Sequence, residues 1–304
     1  MLVTLTGSNH FLLRQRLDEL VKKFSDEYGE LAVERIDAIE AESQAVIDAI
    51  SSLPFLASRK LVILRDISTN KAVTDQIEQI IDAAGKTTDL IIYDPALDKR
   101  TSYFKVLKSQ TKLEEFGDLD KKQLVKWLAD EAKKQDARLT LADANYLIER
   151  VGANQELLAN ELSKLVIYDP QISKQNIELL TQPTPQSRIF DLLDASFGGD
   201  KKRALELYEE QRAQRVEPQA ILAMIAWQLH LVTLAKVAGE RSSQQIAQDT
   251  GVNPYPLQKA AALAQKLSDA KIKTLVDEAL EIDWQSKTTS LDLDEALKTY
   301  IVTL

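Results

Sequence analysis

An α/β part followed by an all-α part is the fold class the sequence predicts, and three observations predict it. Strand-like and helix-like patterns alternate through the first 117 residues. Within them the run Leu61-Val62-Ile63-Leu64 is apolar without interruption, the mark of a strand covered on both faces in a parallel sheet. Beyond Asp118 strand patterns give way to helical spacing.

The elements follow in order. Residues 2–6 form a strand, 9–24 an amphipathic helix and 31–36 a second strand. Ala45, Val46, Ala49 and Ile50 repeat at helical spacing over 41–50, and the buried strand 60–64 follows. A helix over 71–84, a strand over 90–93, a helix over 102–109 and a strand over 113–116 complete the alternation. Five strands separated by helices imply a parallel sheet with right-handed crossovers. Helices are then expected over 120–134, 141–151, 155–168 and 174–180, before Pro183-Thr184-Pro185 marks a linker. The remainder, from 187, is helical in pattern, with breaks at Gly198-Gly199, Gly239, Gly251 and Pro254/Pro256. These signals divide the chain into 1–118, 119–185 and 186–304.

The junction at 51–65, SSLPFLASRKLVILR, is the most informative stretch. Pro54 disfavours helical φ/ψ at Leu53, so Phe55 and Leu56 fall on the turn between helix and strand. Two bulky apolar groups on a turn need a partner. Either they fold back over the sheet as a plug, or they project as a wedge into a groove on another protein.

Composition narrows the functional classes. The 304 residues suffice for two or three domains with ordinary cores, and a hydrophobic fraction of 44% with 28% charged is that of a globular chain. No apolar run reaches the ~20 residues that cross a bilayer, and the start lacks a basic region and a cleavage site, so a cytoplasmic chain with no membrane partner is expected. With no cysteine there is no thiol chemistry. A net charge of −9 with interleaved signs argues against gripping nucleic acid alone.

No catalytic constellation emerges. Gly7 stands where a phosphate loop would begin, but Leu12 and Leu13 replace the glycine and lysine that wrap and neutralise phosphates. After Leu64 comes Arg65-Asp66, a lone acid where a nucleotide hydrolase would need an acidic pair. His10 and His230 lack ligand spacing, and Asp94 and Asp98 around Pro95 suggest a turn and a helix start. Neither nucleotide, metal nor another cofactor is expected. One nucleic-acid-like pattern remains at 242–266: Ser242 and Ser243 as caps, Gly251 at a turn, then Leu257 and Leu263, spaced as a helix-turn-helix. Its second helix has only Lys259 and Lys266 as bases beside Gln258 and Gln265, and its alanines favour packing over groove reading.

The order Leu53-Pro54-Phe55-Leu56-Ala57-Ser58-Arg59-Lys60 before an apolar strand resembles the clamp-contacting segment of the delta subunit family of bacterial DNA polymerase III, the wrench of the clamp loader. Further similarities are collinear with it. Residues 3–13, VTLTGSNHFLL, resemble the family's opening strand and degenerate phosphate loop; Leu97-Asp98-Lys99-Arg100 with Tyr103, Phe104 and Lys105 resembles its segment after the fourth strand. Val151-Gly152, Asn160-Glu161-Leu162-Ser163-Lys164-Leu165, Ile189-Phe190-Asp191-Leu192 with Gly199-Asp200 and Ala204-Leu205, and Asp283 with Lys287 continue the match, although Thr288 and Thr289 stand where a glycine is common.

The resemblance implies an AAA+-like α/β domain with a degenerate nucleotide site, a small helical lid and a helical collar. It implies a subunit without catalysis of its own inside a holoenzyme with DNA-directed DNA polymerase activity. Such a chain would bind and open the ring-shaped sliding clamp, the beta subunit, through Leu53, Pro54, Phe55 and Leu56. Its other implied partners are the ATPase subunits gamma/tau, delta prime, and primer-template DNA within the assembled loader. The alternative is a DNA-binding regulator using 242–266.

Overall fold

Five parallel strands hydrogen-bonded in the order β2-β3-β4-β1-β5 form the sheet of the first part of the chain. In chain order these are β1 (Leu2–Thr6), α1 (His10–Tyr28), β2 (Val33–Asp37), α2 (Ser43–Ser51), β3 (Lys60–Arg65), α3 (Lys71–Thr74), α4 (Ile77–Asp82), β4 (Thr88–Tyr93), α5 (Ser102–Gln110) and β5 (Lys112–Glu115). The computed structural model describes residues 1–304 apart from Leu56 and the side chains of Gln186 and Ser187. It divides into two compact units, Met1–Asp118 and Leu119–Leu304.

The unbroken apolar run has a direct cause in this sheet. Successive side chains of a strand point to opposite faces. Leu61 and Ile63 meet Leu13, Leu20 and Phe24 of α1, whereas Val62 and Leu64 meet Val46 and Ile50 of α2, Ile77 and Ile80 of α4, and Tyr103 and Leu107 of α5. Both faces are covered, so neither can be polar. Truncating one of these side chains to alanine would cost about 2–5 kcal/mol.

The second unit is helical: α6 (Lys121–Lys134), α7 (Leu141–Val151), α8 (Gln155–Tyr168), α9 (Lys174–Leu180), α10 (Pro185–Phe197), α11 (Lys201–Ala213), α12 (Pro218–Ala238), α13 (Ser243–Thr250), α14 (Pro254–Lys266), α15 (Asp269–Thr288) and α16 (Leu293–Thr303). Leu124, Leu128, Leu147, Ile148, Leu158, Leu162 and Ile177 of α6–α9 share one core, and Tyr255 of α14 is inserted into it. Helix α12 divides the rest. Ile221, Leu222, Ile225 and Leu229 face a core with α10, α11, α15 and α16, while Leu231, Val232 and Ala235 face another with α13 and α14.

Several expectations are corrected. Helix α1 runs to Tyr28, where Gly29 at φ 89° ends it, and residues 30–32 make a 3-10 turn rather than the start of a strand. The helix expected over 71–84 is two short helices. Past residue 118 a two-stranded parallel ladder does occur, β6 (Arg138–Leu139) with β7 (Gln171–Ile172); two residues per strand are too few to leave a period. Helix α12 has an 18-residue window of mean hydropathy 1.6 and is long and apolar enough to cross a membrane by length and composition only, with Gln228, His230 and Lys236 interrupting its apolar run. Its apolarity is accounted for by cores on two sides. The proline-rich segment is held in place: the Arg150 guanidinium donates to the Thr181 carbonyl at 2.8 Å and hydroxyl at 2.9 Å, and Pro185 begins α10 at a position that proline favours.

Candidate functional site

The loop 53–59 lies at the edge of the sheet where the strands begin, between the end of α2 and the start of β3. Its apolar tip is open to solvent: Leu53 is 84% exposed and Phe55 78%, with Pro54 half-buried. Leu56, the fourth residue singled out from the sequence, lies outside the described residues. Leu53 and Phe55 are therefore not a plug over the sheet.

The base beneath that tip is fixed from both sides. Ser52 ends α2, donating its N–H to the Asp48 carbonyl at 3.0 Å and its hydroxyl to Ala49 at 3.0 Å. Lys60, the first residue of β3, is 5% exposed, and its ammonium donates to the Ala49 carbonyl and, at 2.6 Å, to the Ser52 hydroxyl. A cation on the last carbonyls of a helix is favoured by both hydrogen bonding and the helix dipole. Burial pushes the Lys60 amine below its ordinary value, opposed by the charge of Glu34.

Two further contacts hold the strand side. The Thr88 hydroxyl donates to the Ile50 carbonyl at 3.1 Å, and Arg59 bonds the buried Asp89 at 2.5 Å. Ala57 packs into the cluster beneath α1. The loop thus crosses the sheet edge from the α2 face to the α1 face with both limbs anchored. Sequence reasoning treated Lys60 only as a strand residue; a lysine opening an otherwise apolar buried run was the available signal.

At the opposite edge, where the strands end and a nucleotide would bind in a fold of this class, the chain bonds to itself. Gly7 has φ 125°, and a Cβ there would stand 2.1 Å from the Phe116 carbonyl oxygen. The Asn9 N–H donates to that oxygen at 3.1 Å, and the Asn9 side chain accepts from Leu12 N as the cap of α1. The phosphate-loop position is filled by the backbone after β5. Arg65 stacks over the Tyr93 ring at 5.2 Å, and Asp66 adopts a left-handed φ of 56°.

Asp94 is buried and accepts from Ser68 N at 2.7 Å, Ser68 Oγ at 2.8 Å and Tyr103 OH at 3.3 Å. Burial pushes its carboxyl up, and those hydrogen bonds oppose the rise. Its side chain fastens the turn after β3, and the expected turn at Pro95 and Ala96 follows it. Asp98 does form a turn, with its carboxyl held down at about 2 by hydrogen bonds from Arg100, and Thr101 caps α5.

The remaining candidates are placed as follows. His10 is exposed at the start of α1; His230 is exposed on α12, its ring 5.7 Å from Trp227. Among the described residues no three of His, Cys, Asp or Glu cluster as metal ligands. Helices α13 and α14 do form a helix-turn-helix with Gly251 in the left-handed conformation. The bases of α14 are engaged internally, Lys259 over the rings of Phe190 at 5.1 Å and Tyr255 at 5.8 Å, and Lys266 with Asp194 at 2.8 Å. Leu257, Ala260, Leu263 and Ala264 are buried against α12. The helix that would read DNA is a packing helix.

One broad apolar face was not foreseen. On α15, Val276, Leu280 and Trp284 repeat every four residues and are exposed, beside a groove of about 960 Å³ shared with α12.

The class defined by this fold is a five-stranded parallel α/β unit followed by helical modules. A family model described as the DNA polymerase III delta subunit matches residues 4–116, one for the C-terminal domain of the same delta subunit matches 186–304, and a middle-domain model matches 120–179. The chain belongs to the DNA polymerase III delta subunit family. The DNA polymerase III subunit delta of Bacillus subtilis (strain 168) is 22% identical over 324 residues, covering 99% of this chain and 91% of that protein. The solved structure of the Bacillus subtilis DNA clamp loader delta protein has the same fold, with a TM-score of 0.83 at 20% identity over 100% of this chain and 95% of that one.

Proposed function

We propose that this delta-family chain, a clamp-loader component of DNA replication, binds the ring-shaped sliding clamp through Leu53, Pro54, Phe55 and Leu56 and favours the open ring. The observation that supports this most is an apolar tip held out in solvent on an anchored base. Exposed anchors of this kind supply much of an interface's binding energy, and a preformed base lowers the ordering cost of binding. Opening follows by population shift: a wedge that binds the open ring more tightly than the closed one favours opening in proportion to that difference.

Nothing in that mechanism uses nucleotide chemistry on this chain, in keeping with the filled phosphate-loop position. ATP-driven motion would come from gamma/tau subunits, with delta prime completing the loader around primer-template DNA in the cytoplasm. Residues 119–185 would serve as the lid and 186–304 as the collar. The face of Val276, Leu280 and Trp284 suits a neighbouring subunit, since large exposed apolar patches mark interaction surfaces.

A clamp-binding assay on Leu53→Ala plus Phe55→Ala, paired with a denaturant melt, tests the proposal. Affinity should fall by on the order of 2 kcal/mol, about 30-fold, while stability changes by less than about 0.5 kcal/mol. Unchanged affinity would remove the loop as the site.

A further inference from the structure

We infer that the clamp-binding surface is built from two segments, and that Leu31 is its second anchor. This rests on the loop 53–59 being the clamp site and adds a contact outside it.

Leu31 occupies the 3-10 turn Glu30–Ala32 between α1 and β2 and is 84% exposed, as open as Leu53. Its immediate neighbour Ala32 is 6% exposed. The turn therefore buries one side and holds the leucine out from the other.

Strand pairing fixes which part of the surface that is. Strands β2 and β3 are parallel, with Val33 opposite Leu61. Continuing that register toward the start of both strands sets Ala32 level with Lys60 and Leu31 level with Arg59. Neighbouring strands lie roughly 4.8 Å apart, so the turn and the return limb of the loop emerge side by side at one sheet edge. Packing agrees with the register: Ala57 of the loop belongs to the same apolar cluster as Tyr28, Ala32 and Val33 around the turn. Phe55 is two residues from Ala57, a reach of roughly 7 Å in an extended chain.

A single exposed leucine needs no explanation. Leu31, Leu53 and Phe55 converge on one edge, and that edge is continuous with the proposed interface. A wedge entering a groove gains most when apolar groups around it exclude water from its flanks. Leu53 provides this on the α2 side and Leu31 on the α1 side. The occupant is thus the same sliding clamp, contacted through an apolar surface beside the groove that takes Phe55.

Clamp affinity and thermal melts of the full-length chain carrying Leu31→Ala, Leu31→Asp, Leu31→Met or Phe55→Ala test the inference. Leu31→Ala should weaken binding about 5-fold and Leu31→Asp about 20-fold, with Leu31→Met near wild type and all melts unchanged. If Phe55→Ala weakens binding and both Leu31→Ala and Leu31→Asp do not, the second anchor is refuted and the loop site stands. If Phe55→Ala has no effect, the loop site fails and the two-segment surface fails with it.

Discussion

The two edges of the five-stranded parallel sheet have opposite characters. Where the strands end, Gly7, Asn9, Ser68, Asp94 and Tyr103 bond to one another or to the nearby backbone, and the place a phosphate would take is closed by Phe116. Where the strands begin, polar groups are also satisfied, but they serve to hold Leu53 and Phe55 in solvent. The same fold has thus been closed at its ligand edge and opened at the other. A sheet edge becomes a protein-binding surface when its base is rigid enough to present apolar groups without collapsing onto them.

Substitutions at each edge can break this contrast. Gly7→Ala should have the largest effect, about 3 kcal/mol or more of lost stability in a denaturant melt, because alanine is strained at φ 125° and its Cβ would overlap the Phe116 carbonyl. A loss below about 1 kcal/mol would mean that the closed edge is loose. At the other edge, Phe55→Ala alone should cost the clamp complex on the order of 2 kcal/mol with almost no change in the melt.

The base supporting the wedge should show an intermediate effect. Lys60→Met keeps the apolar stem but removes the ammonium from the Ala49 carbonyl, which retains only the Ser52 hydroxyl as donor, and from the Ser52 hydroxyl oxygen. A stability loss of about 1 kcal/mol is expected, with a several-fold faster release of the clamp from a loosened loop. Wild-type release kinetics would show that Lys60 only stabilises the fold.

The smallest effect concerns the sheet's outer strand. Arg16 of α1 donates to Glu114 of β5 at 2.8 Å, and that hydrogen bond holds the Glu114 carboxyl below its ordinary value of 4.5. A depressed folded value means that the pair contributes fully above the unfolded value and is lost as pH falls through the folded one. Glu114→Gln should therefore cost about 0.5–1 kcal/mol at pH 7, and the difference from wild type should vanish in acid. A difference that persists in strong acid, once the carboxyl is protonated in both states, would assign the loss to packing.

Much of the fold was legible in the sequence because burial imposes strong patterns. The run 61–64 could only be a strand covered twice, and Gly7 with Leu12 and Leu13 already excluded a working phosphate loop. Other features leave no such trace. Plug and wedge use identical residues, and the choice depends on buried donors such as Lys60 that periodicity assigns to a strand. Leu31-Ala32-Val33 runs apolar without a break into the strand, so its pattern does not separate the exposed turn after Gly29 from β2. Helix α12 leaves no continuous membrane-length apolar run in the sequence because Gln228, His230 and Lys236 interrupt it.

Hydrogen–deuterium exchange of the full chain with and without the clamp tests both edges in one measurement. Binding at the strand-start edge predicts slowed exchange in the backbone of 29–32 and 52–59, with unchanged exchange at 7–12, 65–68 and 94–101. Protection confined to the strand-end segments, or none at 52–59 under saturating clamp, would contradict the account.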